Sequence, residues 1–144
     1  RPVLADFGIA LPFRSAVRIT NVGFAVGSAA YMSPEQARGD TVDGRADLYA
    51  VGVLAYEMVT GHLPFQANDA LALAVMHAHD PIPPLPGNRR HWQPFISGAL
   101  AKAKEQRYRN AEQMLSALDE LERRLRPGAG EGETVAVPVA APQT

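Results

Sequence analysis

RADLYAVGVLAYEMVTG, residues 45–61, is the stretch whose reading decides the fold. Leu48, Tyr49, Ala50, Val51, Val53, Leu54, Ala55, Tyr56, Met58 and Val59 leave its middle without a polar face. Strands rarely run so long, so the stretch reads as a helix despite its valines. Asp43 can accept from its first amides, and Gly61 can supply the left-handed residue past its end. A helix that is apolar all round asks for cover on every side. It is too short, and too interrupted by Gly52 and Glu57, to span a membrane. Other elements must therefore wrap it. Gly52 inside the helix costs roughly 1 kcal/mol against alanine, which predicts a neighbour packed close there.

Outward from this helix, turn and cap signals divide the chain. Ser33-Pro34 is an N-cap followed by proline at the first helical position, opening a short helix through Ala37 that Gly39 ends. Asn68 or Asp69 can cap a helix through about His79, stopped by Asp80-Pro81. IPPLPG reads as an extended loop, and Trp92 to Lys104 as a helix with Pro94 in its first turn. Asn110 with Gln113 resembles a capping box. After it, Met114, Leu115, Leu118, Leu121 and Leu125 form one apolar stripe opposite Glu, Asp and Arg. Pro2 to Ala5 is a short apolar run, read as a strand, ending at Asp6-Phe7-Gly8. Leu11 to Val26 shows no clean period and reads as a long loop of the kind that carries function or stays disordered. The expected organisation is a mainly α domain over 1–126, with 127–144 as a disordered Pro/Ala/Gly tail or linker.

Composition narrows the function classes. Apolar residues make up 47% of the 144, enough for the core of one domain. Fourteen basic against 15 acidic residues give a net charge of −1, with no cationic excess to suggest nucleic acid or a membrane surface as partner. The chain has no cysteine, which removes disulfides and thiolate metal sites and fits a cytoplasmic setting. The four histidines carry no metal pattern. His77 and His79 are two apart on a helix and point different ways, so both read as surface or partly buried.

Asp6-Phe7-Gly8, a long loop, then Gly27-Ser28-Ala29-Ala30-Tyr31-Met32-Ser33-Pro34-Glu35 together resemble the activation segment of a serine/threonine protein kinase. Asp47 with Gly52 matches that family's D-x-x-x-x-G on its central buried helix. Gln106-Arg107-Tyr108 matches its arginine motif before the last helix. The wording SPEQARGD, DLYAVGVLAYEMVTGHLPF and DPIPP is most similar to the bacterial, receptor-type branch. The resemblance covers residues 1 to about 126. It implies a partial protein-kinase-like fold: the lower part of the larger lobe, from the D-F-G strand onward, with helices packed around a central buried helix.

The resemblance also implies roles. Asp6 would hold the Mg²⁺ that bridges ATP phosphates, since magnesium wants hard oxygen ligands; alone, an aspartate there would read as a turn cap. Phe7 would pack into the column that couples the lobes, and Gly8 would permit the turn. Thr20, near Arg14 and Arg18, would be the activation-loop phosphorylation site, because phosphate could order the loop against arginines. Gly27 and Ser28 would form the floor that receives the substrate serine or threonine, with Ser28 where the family more often has threonine. Glu35 and Arg107 would form a buried bidentate pair; otherwise they are unrelated surface charges. Lys104 stands where the family often has proline.

A kinase also needs a glycine-rich loop, an ATP-binding lysine and an H-R-D catalytic loop. None of these is in the 144 residues, so the resemblance supplies no general base here. The expectation is part of an ATP-dependent kinase acting on protein substrates, cytoplasmic in itself and compatible with a membrane-anchored parent. It is expected to be inactive as this chain alone, and to self-associate through bare apolar faces of the Arg45–Thr60 helix and the Val3–Phe7 strand. A non-catalytic protein-binding module and a nonfunctional truncated kinase are the alternatives.

Overall fold

The structure, a computed structural model, describes residues 26–128. Expectations for Asp6, Phe7, Gly8, Thr20, the Val3–Phe7 strand and the tail after Gly128 lie outside them. The described residues form helices α1 (Val26–Ala29), α2 (Pro34–Arg38), α3 (Arg45–Thr60), α4 (Ala70–His79), α5 (Gln93–Ala99) and α6 (Ala111–Leu125). Short 3₁₀ turns at Gly87–Trp92 and Lys104–Gln106 flank α5 on either side in sequence, and no strand occurs among the described residues.

Most helix boundaries fall where local chemistry puts them. Ser33 accepts from the Gln36 amide, Gln36 reaches back to the Ser33 amide, and Gly39 closes α2 at φ 72°. Asp43 Oδ1 accepts from the Arg45 amide at 2.9 Å, although Gly44 takes the cap position itself; Gly61 ends α3 at φ 84°. Asp69 caps α4 through the Ala72 amide. Asn110 accepts from the Gln113 amide, but Gln113 Oε1 turns to the Arg109 amide, so only half of the expected box forms.

Two apolar clusters hold these pieces. In the larger, Tyr49, Val53 and Tyr56 of α3 pack on Phe95, Ile96, Ala99 and Leu100, with Leu85 and Met114 at the edges. In the smaller, Ala29, Met32, Phe65, Leu73 and Ala74 join α1 to α4. Gly52 sits where the chains meet most tightly: a Cβ there would lie 2.7 Å from Ala99 Cβ and 2.9 Å from Leu100 Cδ2. The glycine lets α3 and α5 approach, as its place in the helix predicts.

Three expectations need correction. First, α3 is not covered on every side by the described residues. Val51, Leu54 and Met58 form an exposed stripe, with Met58 at 78%. The spacing 51, 54, 58 places them on one face, opposite the face that meets α5. Second, the helix expected through Lys104 stops at Ala99. Carbonyls of Ala101 and Lys102 turn out of helical register to accept from Arg107. Third, the α6 stripe is shallow: Met114 is buried, Leu118 and Leu121 are half-buried, and Leu115 and Leu125 are exposed. The short helix α2 packs chiefly on α4.

Candidate functional site

Residues 26–35 form a short arch over α4. Ala29, Ala30 and Met32 are buried, whereas Gly27 and Ser28 face solvent. The arch holds itself by backbone bonds: Ala30 to the Val26 carbonyl at 3.2 Å, Tyr31 to Ser28 at 3.3 Å, and Met32 to Ala29 at 3.2 Å. An exposed glycine beside an exposed hydroxyl on a fixed base gives a surface that extended chain can approach closely.

The downstream end is fixed by ion pairing. Arg107 donates to both oxygens of Glu35, at 2.7 and 3.0 Å. Both side chains are out of solvent, Arg107 at 0% and Glu35 at 3%. The guanidinium also donates to the carbonyls of Arg45 at 2.8 Å and of Ala101 at 3.1 and 3.2 Å. One side chain therefore ties α2, the start of α3 and the loop after α5. Burial alone would raise the Glu35 pKa, but the hydrogen bonds from Arg107 and the backbone outweigh it and hold the carboxyl below its ordinary value. The buried pair that the resemblance implies is present.

Beside it, Asp43 pairs with Arg45 at 2.7 Å and is held down to about 2, chiefly by hydrogen bonding to that guanidinium. Lys104, at the position where proline was the commoner expectation, donates to the Thr41 carbonyl at 2.8 Å. Asp47 is exposed on the first turn of α3.

Two anchors were not foreseen. Tyr31 donates to Glu57 Oε2 at 2.7 Å, tying the arch to α3. That hydrogen bond, more than burial, raises the Tyr31 pKa. His77 is fully buried, where the sequence reading places it at the surface or partly buried. It bridges Tyr49 and the Ala30 carbonyl, with Phe65 edge-on at 5.0 Å. Its spacing carried the signal: Ala70, Leu73, Ala74, His77 and Ala78 are the i, i+3, i+4, i+7, i+8 set of one helix face. The Tyr31–Glu57 pair, 26 residues apart, left none.

No group of three or more metal-capable side chains occurs among the described residues. The expected Mg²⁺ ligand, Asp6, lies outside them.

The protein kinase domain family matches residues 2–129. The chain belongs to that family. It is 40% identical over 120 residues to serine/threonine-protein kinase PknB of Mycobacterium leprae, covering 78% of this chain and 19% of the relative. A probable PknB of Bifidobacterium longum is 42% identical over 113 residues, 75% of this chain and 16% of the relative. Serine/threonine-protein kinase Pkn1 of Myxococcus xanthus is 43% identical over 117 residues, 78% and 17% respectively. The chain thus spans a fifth or less of the length of these curated relatives. The resemblance to bacterial serine/threonine kinases stands, and so does the mainly helical, partial-kinase fold. No helix among the described residues is long and apolar enough to cross a membrane.

Proposed function

We propose that this chain is the activation-segment and helical-base portion of an ATP-dependent serine/threonine kinase that phosphorylates protein hydroxyls. The observation that carries the reading is the buried bidentate Glu35–Arg107 pair, 72 positions apart in the chain. It fixes the end of the 26–35 arch while leaving Gly27 and Ser28 exposed for an acceptor segment. In this reading the Ser28 hydroxyl and the adjoining backbone orient the acceptor chain. Asp6 is the Mg²⁺ ligand, Phe7 and Gly8 set its approach, and Thr20 is the hydroxyl whose phosphorylation orders the loop. Asp47, exposed on α3, is a structural residue of the domain. Mg·ATP would supply the phosphoryl group; the residues of this chain orient its acceptor. The setting is cytoplasmic, and 127–144 is a disordered tail or linker rather than part of the 1–126 kinase domain.

Phosphoryl transfer needs a phosphate clamp, a base and charge neutralisation by more than one carboxylate. Of these, the 144 residues offer Asp6 alone. Residues 1–144 are therefore expected to transfer no label from radioactive ATP to a generic basic protein, and to associate through the Val51, Leu54 and Met58 stripe. Robust transfer that vanishes in Asp6→Ala would refute the partial-site reading.

A further inference from the structure

The geometry points to His77 as a positioning residue: a neutral imidazole, locked in one tautomer, that holds the Ala30 carbonyl and through it the Gly27–Tyr31 floor. The inference rests on the proposed role of Gly27 and Ser28 as that floor.

The tautomer follows from the partners. His77 Nε2 lies 2.9 Å from the Ala30 carbonyl oxygen, which can only accept. Nε2 must then carry the proton. A neutral ring has one, so Nδ1 is bare, and the Tyr49 hydroxyl at 2.8 Å donates to it. The Ala30 carbonyl needs this partner. It follows the end of α1, where helix carbonyls lose their own. The preceding carbonyls of Ser28 and Ala29 are taken by Tyr31 and Met32. Ala30, Tyr49 and His77 are all buried, so a missing bond would leave a polar group stranded without water.

The same residues reach the other end of the arch. Tyr49, on α3, lies under the Arg107 guanidinium, 5.1 Å from ring centroid to Cζ, and Arg107 grips Glu35. Ala30 and Glu35 are thus held through one connected set: His77, Tyr49 and Arg107. Lys102 fixes the set from the α4 side. Its ammonium donates to the carbonyl of His77 itself at 2.8 Å and sits 4.8 Å over the Phe65 ring. Burial, with a smaller push from the Lys102 charge, outweighs the opposing pull of the Ala30 carbonyl and lowers the His77 pKa to about 4. The ring therefore stays neutral near pH 7, and its role is to orient, not to exchange protons.

The test uses chain 1–144 with ¹⁵N-labelled histidine, and amide exchange as the second readout. The wild type is expected to show a protonated Nε2 and a bare Nδ1 for His77, unchanged from pH 8 to 5.5. His77→Ala should speed exchange at Tyr31 and Met32 by roughly tenfold or more while α6 amides keep their rates. His77→Gln, whose amide can still donate to the Ala30 carbonyl, should restore much of the protection. Tyr49→Phe should leave the fold intact and deprive Nδ1 of its donor, with Nε2 still protonated against the Ala30 carbonyl. A protonated Nδ1 in the wild type overturns the proposal. So does exchange in His77→Ala that is unchanged, or that rises equally in α6. None of these readouts involves ATP. A floor shown to be held by His77 here, together with a folded chimera of residues 1–126 in an intact kinase that transfers no phosphate, would refute the kinase reading alone.

Discussion

Replacing Arg107 by alanine removes the guanidinium that satisfies Glu35 and leaves a carboxylate at 3% exposure with its main partner gone. The carbonyls of Arg45 and Ala101 lose the same donor. Breaking a buried pair from one side costs roughly 3–5 kcal/mol. For a domain of this size each kcal/mol lowers Tm by about 3–4 °C. The variant should therefore melt roughly 10–20 °C lower, or be unfolded at 25 °C if the parent lies at the low end of the roughly 5–15 kcal/mol range. The structure also predicts a pH signature. With Arg107 gone, burial is the main influence left on Glu35, so its pKa rises and the carboxyl escapes the penalty by taking a proton. The deficit of Arg107→Ala should shrink as pH is lowered from 7 to 5. Adding Glu35→Ala should cost less than the sum of the two single changes, because the stranded charge is gone. Thermal melts measure the first quantity, and urea titrations at both pH values the other two. A Tm within about 2 °C of the parent, or a deficit that grows on acidification, would refute the reasoning.

Two further outcomes follow. Gly52→Ala should destabilise, because overpacking costs about 1–3 kcal/mol and the gain in helix propensity returns only about 1; the denaturant midpoint should fall, and a stabilised variant would mean that α3 and α5 are not in this contact. Stability should also fall from pH 6.5 to about 4 through His77, whose folded pKa is depressed to about 4. In that window the unfolded chain binds a proton that the folded chain refuses, so the contribution is complete above pH 6.5 and is lost on acidification, amounting to roughly 3 kcal/mol. The difference between parent and His77→Gln isolates it, and parallel curves for the two would contradict the buried neutral ring.

Helix ends were legible in the sequence because caps are local chemistry. Ser33-Pro34, Asp69, Gly39 and Gly61 each act within a few residues of themselves. The Gly52 contact was legible because a glycine inside a helix has a cost that packing must offset. What α3 buries was not, since apolar residues on every face give no direction and the neighbours choose. The end of α5 was missed because Arg107 draws the carbonyls of Ala101 and Lys102 to itself from later in the chain. The Glu35–Arg107 pair was reached through the family resemblance; neither residue is conspicuous among 14 basic and 15 acidic side chains. His77 sits on the buried face of α4, but its spacing from His79 makes no metal pattern, and that spacing says nothing of a partner far along the chain such as Tyr49 or Ala30.

The most direct test of the kinase reading is a chimera. Residues 1–126 would replace the matching portion of Mycobacterium leprae PknB, and purified protein would be assayed for label transfer from ATP to serine and threonine in a generic basic protein. The account predicts a folded chimera that transfers phosphate, loses transfer in Asp6→Ala, and carries phosphate on Thr20. A chimera that melts cooperatively yet transfers nothing, or one that transfers equally well without the Asp6 carboxylate, would contradict it.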